Sequence, residues 1–64
     1  MTADEMMQKA YDAKKKGHDT INISNDDKVV AEELQSKTFG CLTTNGYLFA
    51  FRIWPEGIDY MEKR

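Results

Sequence analysis

The chain has 64 residues, a formal net charge of −2 and a charged fraction of 31% in which both signs are mixed. A chain of this length forms one domain, because it buries only about 60% of the surface that its unfolded form exposes. The mixed charge argues against a partner held by bulk electrostatics, such as nucleic acid in a basic groove. The single cysteine excludes an intramolecular disulfide, and no segment has the pattern of a leader peptide or a membrane span, so we expect one cytoplasmic domain over residues 1–64.

The segment before Gly17 predicts a helix with a signal at each end. Thr2 and Glu5 have the spacing of a capping box, and apolar residues follow at spacings of three and four. The lysine run Lys14 to Lys16 favours the C-terminal end of the helix dipole. We place this helix at Ala3 to Lys16.

The next segment predicts a strand followed by a second helix. Ile21 and Ile23 alternate with polar residues, which is typical of a strand with one buried face and one polar face. Ser24 or Asn25 can then cap a helix whose first turn is acidic. We place this second helix at Asp26 to Lys37.

The stretch CLTTNGYLFAFRIW predicts a β-hairpin, because Asn-Gly is the preferred pair for a two-residue type I′ turn and β-prone residues flank it. With Asn45 and Gly46 in the turn, Thr44 faces Tyr47, and the pairing sorts the side chains onto two faces. One face holds Leu42, Thr44, Tyr47, Phe49, Phe51 and Ile53, and the other holds Cys41, Thr43, Leu48, Ala50, Arg52 and Trp54.

The element order α-β-α-β-β predicts an α+β fold. A right-handed crossover between the first two strands, together with the apolar third strand, favours a three-stranded antiparallel sheet in the order 1-3-2 with two helices on one face. The predicted core sets Ile21, Ile23, Leu42, Phe49, Phe51 and Ile53 against Met6, Ala10, Val30 and Leu34. A register shift of one residue would exchange the two faces of the sheet.

Residues with catalytic or ligand chemistry are few and isolated. The single histidine, His18, and the single cysteine, Cys41, supply neither a metal cluster nor a nucleophile with an adjacent base. The acidic residues of the second helix suit its positive end or its solvent side, and they are Asp26, Asp27, Glu32 and Glu33. We therefore expect a non-enzymatic protein without catalytic residues, metal or cofactor, and a small enzyme that uses His18 or Cys41 is a rival hypothesis.

The second face of the predicted sheet carries a surplus of apolar surface. Tryptophan, tyrosine and arginine are the residues most enriched at binding hot spots, and we expect a partner-binding surface made of Leu48, Arg52, Trp54 and Tyr60. The partner would be another copy of this chain or a different protein. In the alternative interpretation, Pro55 ends the strand and the tail, residues 55–64, turns back to cover this face of the sheet.

A small nucleic-acid-binding module is the second functional hypothesis. Lys14, Lys15, Lys16 and Arg52 would contact phosphates, and an aromatic side chain such as that of Trp54 would stack on bases. Three lysines at the end of a helix are also what the helix dipole favours, so the run has an ordinary structural explanation.

The layout resembles that of small phage-encoded α/β proteins, which run helix, G-x-x-x-I-x-I strand, helix, and an N-G-Y hairpin that ends in an I-x-W-like strand. The residues that carry the resemblance span nearly the whole chain and are Gly17, Ile21, Ile23, Val30, Leu34, Gly40, Asn45, Gly46, Tyr47, Ile53 and Trp54. The resemblance implies a protein that binds a host protein in the host cytoplasm and inhibits or redirects it. The segment PEGIDYMEKR departs from this layout, because it extends beyond the usual final strand.

Overall fold

The computed structural model describes all 64 residues, which form three α-helices and three β-strands. In chain order these elements are α1 (Ala3–Lys15), β1 (Thr20–Ile23), α2 (Lys28–Ser36), β2 (Gly40–Asn45), β3 (Leu48–Ile53) and α3 (Pro55–Glu62), with a 3₁₀ turn at Asn25–Asp27 before α2. The predicted α+β class is confirmed, and α3 is a helix beyond the two that were expected.

The three strands form one antiparallel sheet in the order β1-β3-β2, as predicted. The most apolar strand, β3, lies in the centre and pairs with both neighbours. Phe51 faces Ile21 on one side and Leu42 on the other. These three side chains therefore share one face of the sheet, which is the face that the helices cover.

The capping box at the start of α1 is present. Glu5 N donates to Thr2 Oγ1 at 3.2 Å, and Thr2 N donates to Glu5 Oε1 at 3.0 Å. The helix buries Met6, Met7 and Ala10 against the sheet. Its observed end is one residue short of the predicted one.

The second helix begins later than expected. Ser24 precedes a 3₁₀ turn and not α2 itself, and its hydroxyl donates to Asp27 Oδ2 at 3.0 Å rather than accepting from the backbone. The chain forms one 3₁₀ turn there, and α2 starts only at Lys28. At the other end the chain leaves the helix through Thr38, whose φ is 63°, in the left-handed region.

The predicted type I′ turn at Asn45-Gly46 is wrong. Asn45 pairs with Leu48 as the last residue of β2, so the two loop residues are Gly46 and Tyr47. Only Gly46 has a positive φ, of 67°, and this matches a type II′ turn, in which the first loop residue is glycine. The register therefore differs by two residues from the predicted one, and a shift of two leaves every side chain on its predicted face.

The core is one cluster between the sheet and the helices. Its buried members are Met6, Met7, Ala10, Ile23, Ala31, Leu34, Phe51, Ile53 and Met61. Four residues of the predicted core, Ile21, Val30, Leu42 and Phe49, pack around the cluster and are only partly buried. Burial at the cluster is the main term that stabilises a domain of this size.

Helix α3 belongs to this same layer. Pro55 occupies its first turn, and Met61 and Gly57 are buried. Tyr11 of α1 donates its hydroxyl to Glu62 Oε2 at 3.4 Å, which places α3 beside α1. The tail therefore packs with the helices and adds Met61 to the core cluster. None of the structure's helices is long and apolar enough to cross a membrane.

Candidate functional site

The outer face of the sheet is the surface turned away from the three helices. Alternation along the strands places on it Thr20 and Asn22 of β1, Cys41, Thr43 and Asn45 of β2, and Leu48, Ala50 and Arg52 of β3, with Trp54 directly after the strand. None of these side chains belongs to the core cluster or packs around it. The face is thus separate from the interior that holds the fold together.

Ala50 lies at the centre of the outer face and is fully buried, with 0% exposure. Its neighbours on the two flanking strands are Asn22 and Thr43. Asn22 is exposed and Thr43 is half-buried. The centre of the outer face is therefore a buried alanine between two polar side chains, and it contributes less exposed apolar area than the sequence suggested.

Leu48 and Trp54 lie at opposite ends of the central strand. Six residue steps at about 3.3 Å each separate them by about 20 Å. The Leu48 side chain at the hairpin end is 54% exposed, whereas Trp54 at the start of α3 is partly buried. They cannot form one compact apolar patch, and Arg52 stands between them.

Arg52 is the only charged side chain on the outer face. It is exposed, and its neighbours across the sheet are Thr20 and Cys41. The ion pairs of the chain all involve other residues. The guanidinium group is therefore free to meet a carboxylate from outside, with which it can form two parallel hydrogen bonds.

Tyr60 is not on the outer face, because it belongs to α3 in the helical layer. The Tyr60 ring is 41% exposed and stacks on the Phe39 ring, with the centroids 4.8 Å apart and the planes at 27°. Trp54 N donates to the Phe39 carbonyl at 3.0 Å. Of the four predicted binding residues, Leu48, Arg52 and Trp54 therefore belong to the outer face, whereas Tyr60 lies with the helices on the core side.

Phe39 is the residue of this region that sequence reasoning missed. It lies between α2 and β2, outside any periodic pattern, so neither helix nor strand spacing marks it. Its contact with Tyr60 depends on where α3 packs. An aromatic residue just before a strand was the one available signal.

The lysines proposed for nucleic-acid binding are not on the side of the sheet that carries Arg52. Lys14 Nζ lies 3.2 Å from Asp19 Oδ1, and Lys15 Nζ lies 4.5 Å from the centre of the Tyr11 ring. Lys16 is exposed without an ion-pair partner. Since α1 covers the core face and Arg52 points from the outer face, the four residues do not line one groove.

The ionisable groups with shifted pKa lie at the start of α1 and before α2, away from the outer face. The Met1 ammonium donates to Asp27 Oδ1 at 2.7 Å, which lowers the pKa of Asp27 and raises the pKa of the amino group. Hydrogen bonds from Thr2, the backbone one first, lower the pKa of Glu5. These groups hold the ends of helices in place. The structure contains no group of three or more His, Cys, Asp or Glu side chains that could hold a metal ion, and it contains no pocket.

Comparison with protein-family models, with curated proteins and with solved structures finds no match for this chain. Function is therefore inferred from the surface itself. That surface offers an unpaired guanidinium group, an exposed leucine and a partly buried tryptophan.

Proposed function

We propose that this chain is a non-enzymatic protein-interaction module whose outer sheet face binds a partner protein. The observation that supports this proposal is the one-sided packing of the sheet: all three helices contribute side chains to the core cluster, and no side chain of the outer face belongs to it. An antiparallel sheet with one solvated face is usually polar on that side. The outer face is polar over much of its area, but it also presents an exposed Leu48 and a half-buried Trp54 on either side of an unpaired Arg52.

The partner that this face fits has a carboxylate flanked by apolar groups. Arg52 would pair with the carboxylate, and the side chains toward the Trp54 end would supply apolar contact. The resemblance to small phage proteins makes a host protein the partner to test first. Such a module would modulate or inhibit its target by occupying a surface of the target. Its effect would then depend on the molar ratio of module to target and not on a catalytic rate.

Site-specific photo-cross-linking tests this proposal. A photoreactive phenylalanine analogue placed at Thr43 lies on the outer face, and the same analogue placed at Glu32 lies on the exposed side of α2. In bacterial host lysate we expect a single cross-linked product from position 43 that resists nuclease, and none from position 32. Equal labelling from both positions, or none from position 43, would contradict the proposal.

A charge variant makes the test specific for the guanidinium group. Arg52→Glu should abolish the cross-link from position 43, because it sets like charges against each other in the interface. Lys9→Glu is the matched control, since Lys9 is exposed on α1 and has no ion-pair partner. A product that depends on added DNA or RNA and disappears steeply with salt would support the nucleic-acid hypothesis instead.

A further inference from the structure

The two edges of the sheet are protected very differently. At the β2 edge the outward backbone amide of Leu42 donates to Gln35 Oε1 of α2 at 2.9 Å, and Gly40 is buried. A side chain of the chain's own helix thus occupies the place where another strand would pair. This is one of the ways in which proteins block an edge strand.

The β1 edge has no such protection. In an antiparallel hairpin the residue pair next to a two-residue loop is hydrogen-bonded, and here that pair is Asn45 with Leu48. Every second residue of β3, starting from Leu48, therefore bonds to β2, and the residues between them bond to β1. The bonded pairs of β1 are consequently those of Ile21 and Ile23, and the backbone groups of Thr20 and Asn22 point outward. No backbone or side-chain hydrogen bond outside the sheet reaches these groups.

We propose that a second copy of this chain pairs antiparallel with β1, about a two-fold axis at Ile21, and extends the sheet to six strands. In this register Thr20 of each copy bonds with Asn22 of the other, and Ile21 faces its own counterpart. Residues that face each other across antiparallel strands share a face of the sheet, and this register pairs outer-face residues only with outer-face residues. The two helical layers then lie on the same side of the joined sheet.

The charges that flank β1 are self-complementary in this register. Lys16 precedes the strand and Asp26 follows it, and each lies five residues from Ile21. Both are exposed, and neither has an ion-pair partner within its own chain. Antiparallel pairing brings Lys16 of each copy toward Asp26 of the other, twice by symmetry. A dimer made through the outer faces would instead put two copies of Arg52 in one interface.

The contact is small, because β1 has only four residues. We therefore expect a weak dimer that forms at high protein concentration and that salt weakens, since its ion pairs are exposed to solvent. The dimer would place two outer faces side by side on one surface. It is independent of the proposed function: cross-linking to a partner at position 43 can succeed or fail whatever the oligomeric state.

Charge exchange combined with analytical ultracentrifugation tests the register. At low salt and millimolar concentration the unmodified chain should show a monomer–dimer equilibrium. Lys16→Glu and Asp26→Lys should each weaken dimerisation by about tenfold, and the double variant should return to within about twofold of the original. A chain that stays monomeric under these conditions, or a double variant as weak as either single one, would overturn the proposal.

A proline pair tests which edge is used. Asn22→Pro removes an outward N–H at the β1 edge, and Thr44→Pro removes an outward N–H at the β2 edge, so neither change breaks a bond within the sheet. The first variant should be monomeric with an unchanged circular dichroism spectrum, and the second should dimerise as before. Dimerisation of Asn22→Pro at the original strength would rule out pairing through β1. Should the proline variant fail to fold, the charge exchange alone decides the matter.

Discussion

Gly46 is the only residue of the β2–β3 loop with a positive φ, and no atom lies within 4 Å of where its β carbon would be. A larger residue at position 46 is therefore disfavoured by the backbone conformation and not by lack of space. Gly46→Val should lower the free energy of unfolding by about 1–3 kcal/mol, because a β-branched residue is strained there. Urea denaturation followed by circular dichroism measures the change.

Asn45→Val is the control for this prediction. Asn45 ends β2 with a negative φ, so valine should be tolerated there within about 0.5 kcal/mol. A type I′ turn would require a positive φ at both positions. Equal damage from the two substitutions would thus show that the turn lies at Asn45-Gly46 after all.

Thr38 has the one positive φ of the chain outside glycine, at 63°, where α2 ends. Glycine is the residue usually found at this position of a helix end. Thr38→Gly should raise the free energy of unfolding by about 1 kcal/mol relative to Thr38→Ala, because both variants lose the contact of the hydroxyl group with Glu56 and only glycine relieves the strain. Thermal denaturation of the two variants gives the difference, and an alanine variant as stable as the glycine one would contradict the assignment.

At the residue scale, sequence patterns located the turn but not its two central residues. Asn-Gly favours a hairpin, but the position of its glycine differs between turn types. Glycine is favoured at the second loop position of a type I′ turn and at the first loop position of a type II′ turn. The two turn types are distinguished by the register of β3, which must pair with β1 and with β2 at the same time. The left-handed Thr38 had no signal at all, because threonine is uncommon in that conformation.

Among the elements, the packing of α3 depends on a close approach of Gly57 to the backbone of Phe39. A β carbon on Gly57 would overlap the Phe39 carbonyl oxygen and lie 2.9 Å from Ile53 Cγ1. In an exposed helix glycine-to-alanine stabilises by up to about 1 kcal/mol, but Gly57→Ala should destabilise by about 1–3 kcal/mol, because α3 would have to move off the sheet. Asp59→Ala, at an exposed position of the same helix, should be nearly neutral.

Chemical denaturation of these two variants is the check. The sign of the Gly57→Ala effect decides it, since helix propensity and close packing predict opposite signs. A more stable Gly57→Ala variant would mean that α3 does not pack as described.

The pair of Met1 and Asp27 joins the start of α1 to the turn before α2, and the Asp27 side chain is only 12% exposed. Because the pKa of Asp27 is lowered from 3.8, its contribution is present above that value and is lost as the pH falls through the folded-state pKa. Because the pKa of the amino group is raised from 8.0, its contribution is present below that value and is lost as the pH rises through the folded-state pKa.

The difference in unfolding free energy between the original chain and Asp27→Asn should therefore be largest at about pH 6 and smaller at about pH 2 and pH 10. Urea titrations at the three values measure it. A difference that is constant with pH would show that the ion pair contributes nothing to stability.

The elements α1, β1, β2 and β3 were predicted to within a residue or two, because caps, lysines and two-residue alternation are local signals. Local patterns leave residues 55–64, which contain α3, as a tail. Proline in its first turn and the spacing of Ile58 and Met61 are compatible with a helix, but they do not say which side of the sheet it joins. That depends on the space left beside α1, which no local pattern describes.

At the scale of the whole molecule, the strand order followed from chain connectivity and from the apolar character of β3. The sequence does not identify a partner, because the exposed side chains of the outer face do not specify which protein would contact them. The functional proposal depends on the separation of the sheet into a core face and an outer face that the fold does not need. Phe51 represents the first face, being fully buried, and Trp54 represents the second.

Equilibrium denaturation of Phe51→Ala and Trp54→Ala, followed by far-ultraviolet circular dichroism, tests this separation most directly. Phe51→Ala should cost about 3–5 kcal/mol, which is comparable to the whole stability of a domain this size, and should leave the chain largely unfolded. Trp54→Ala should cost no more than about 1.5 kcal/mol and keep a cooperative transition, because the Trp54 side chain neither caps α3 nor joins the core cluster. If Trp54→Ala unfolds the chain as readily as Phe51→Ala does, the outer face is part of the folding core, and it is not a free surface for a partner.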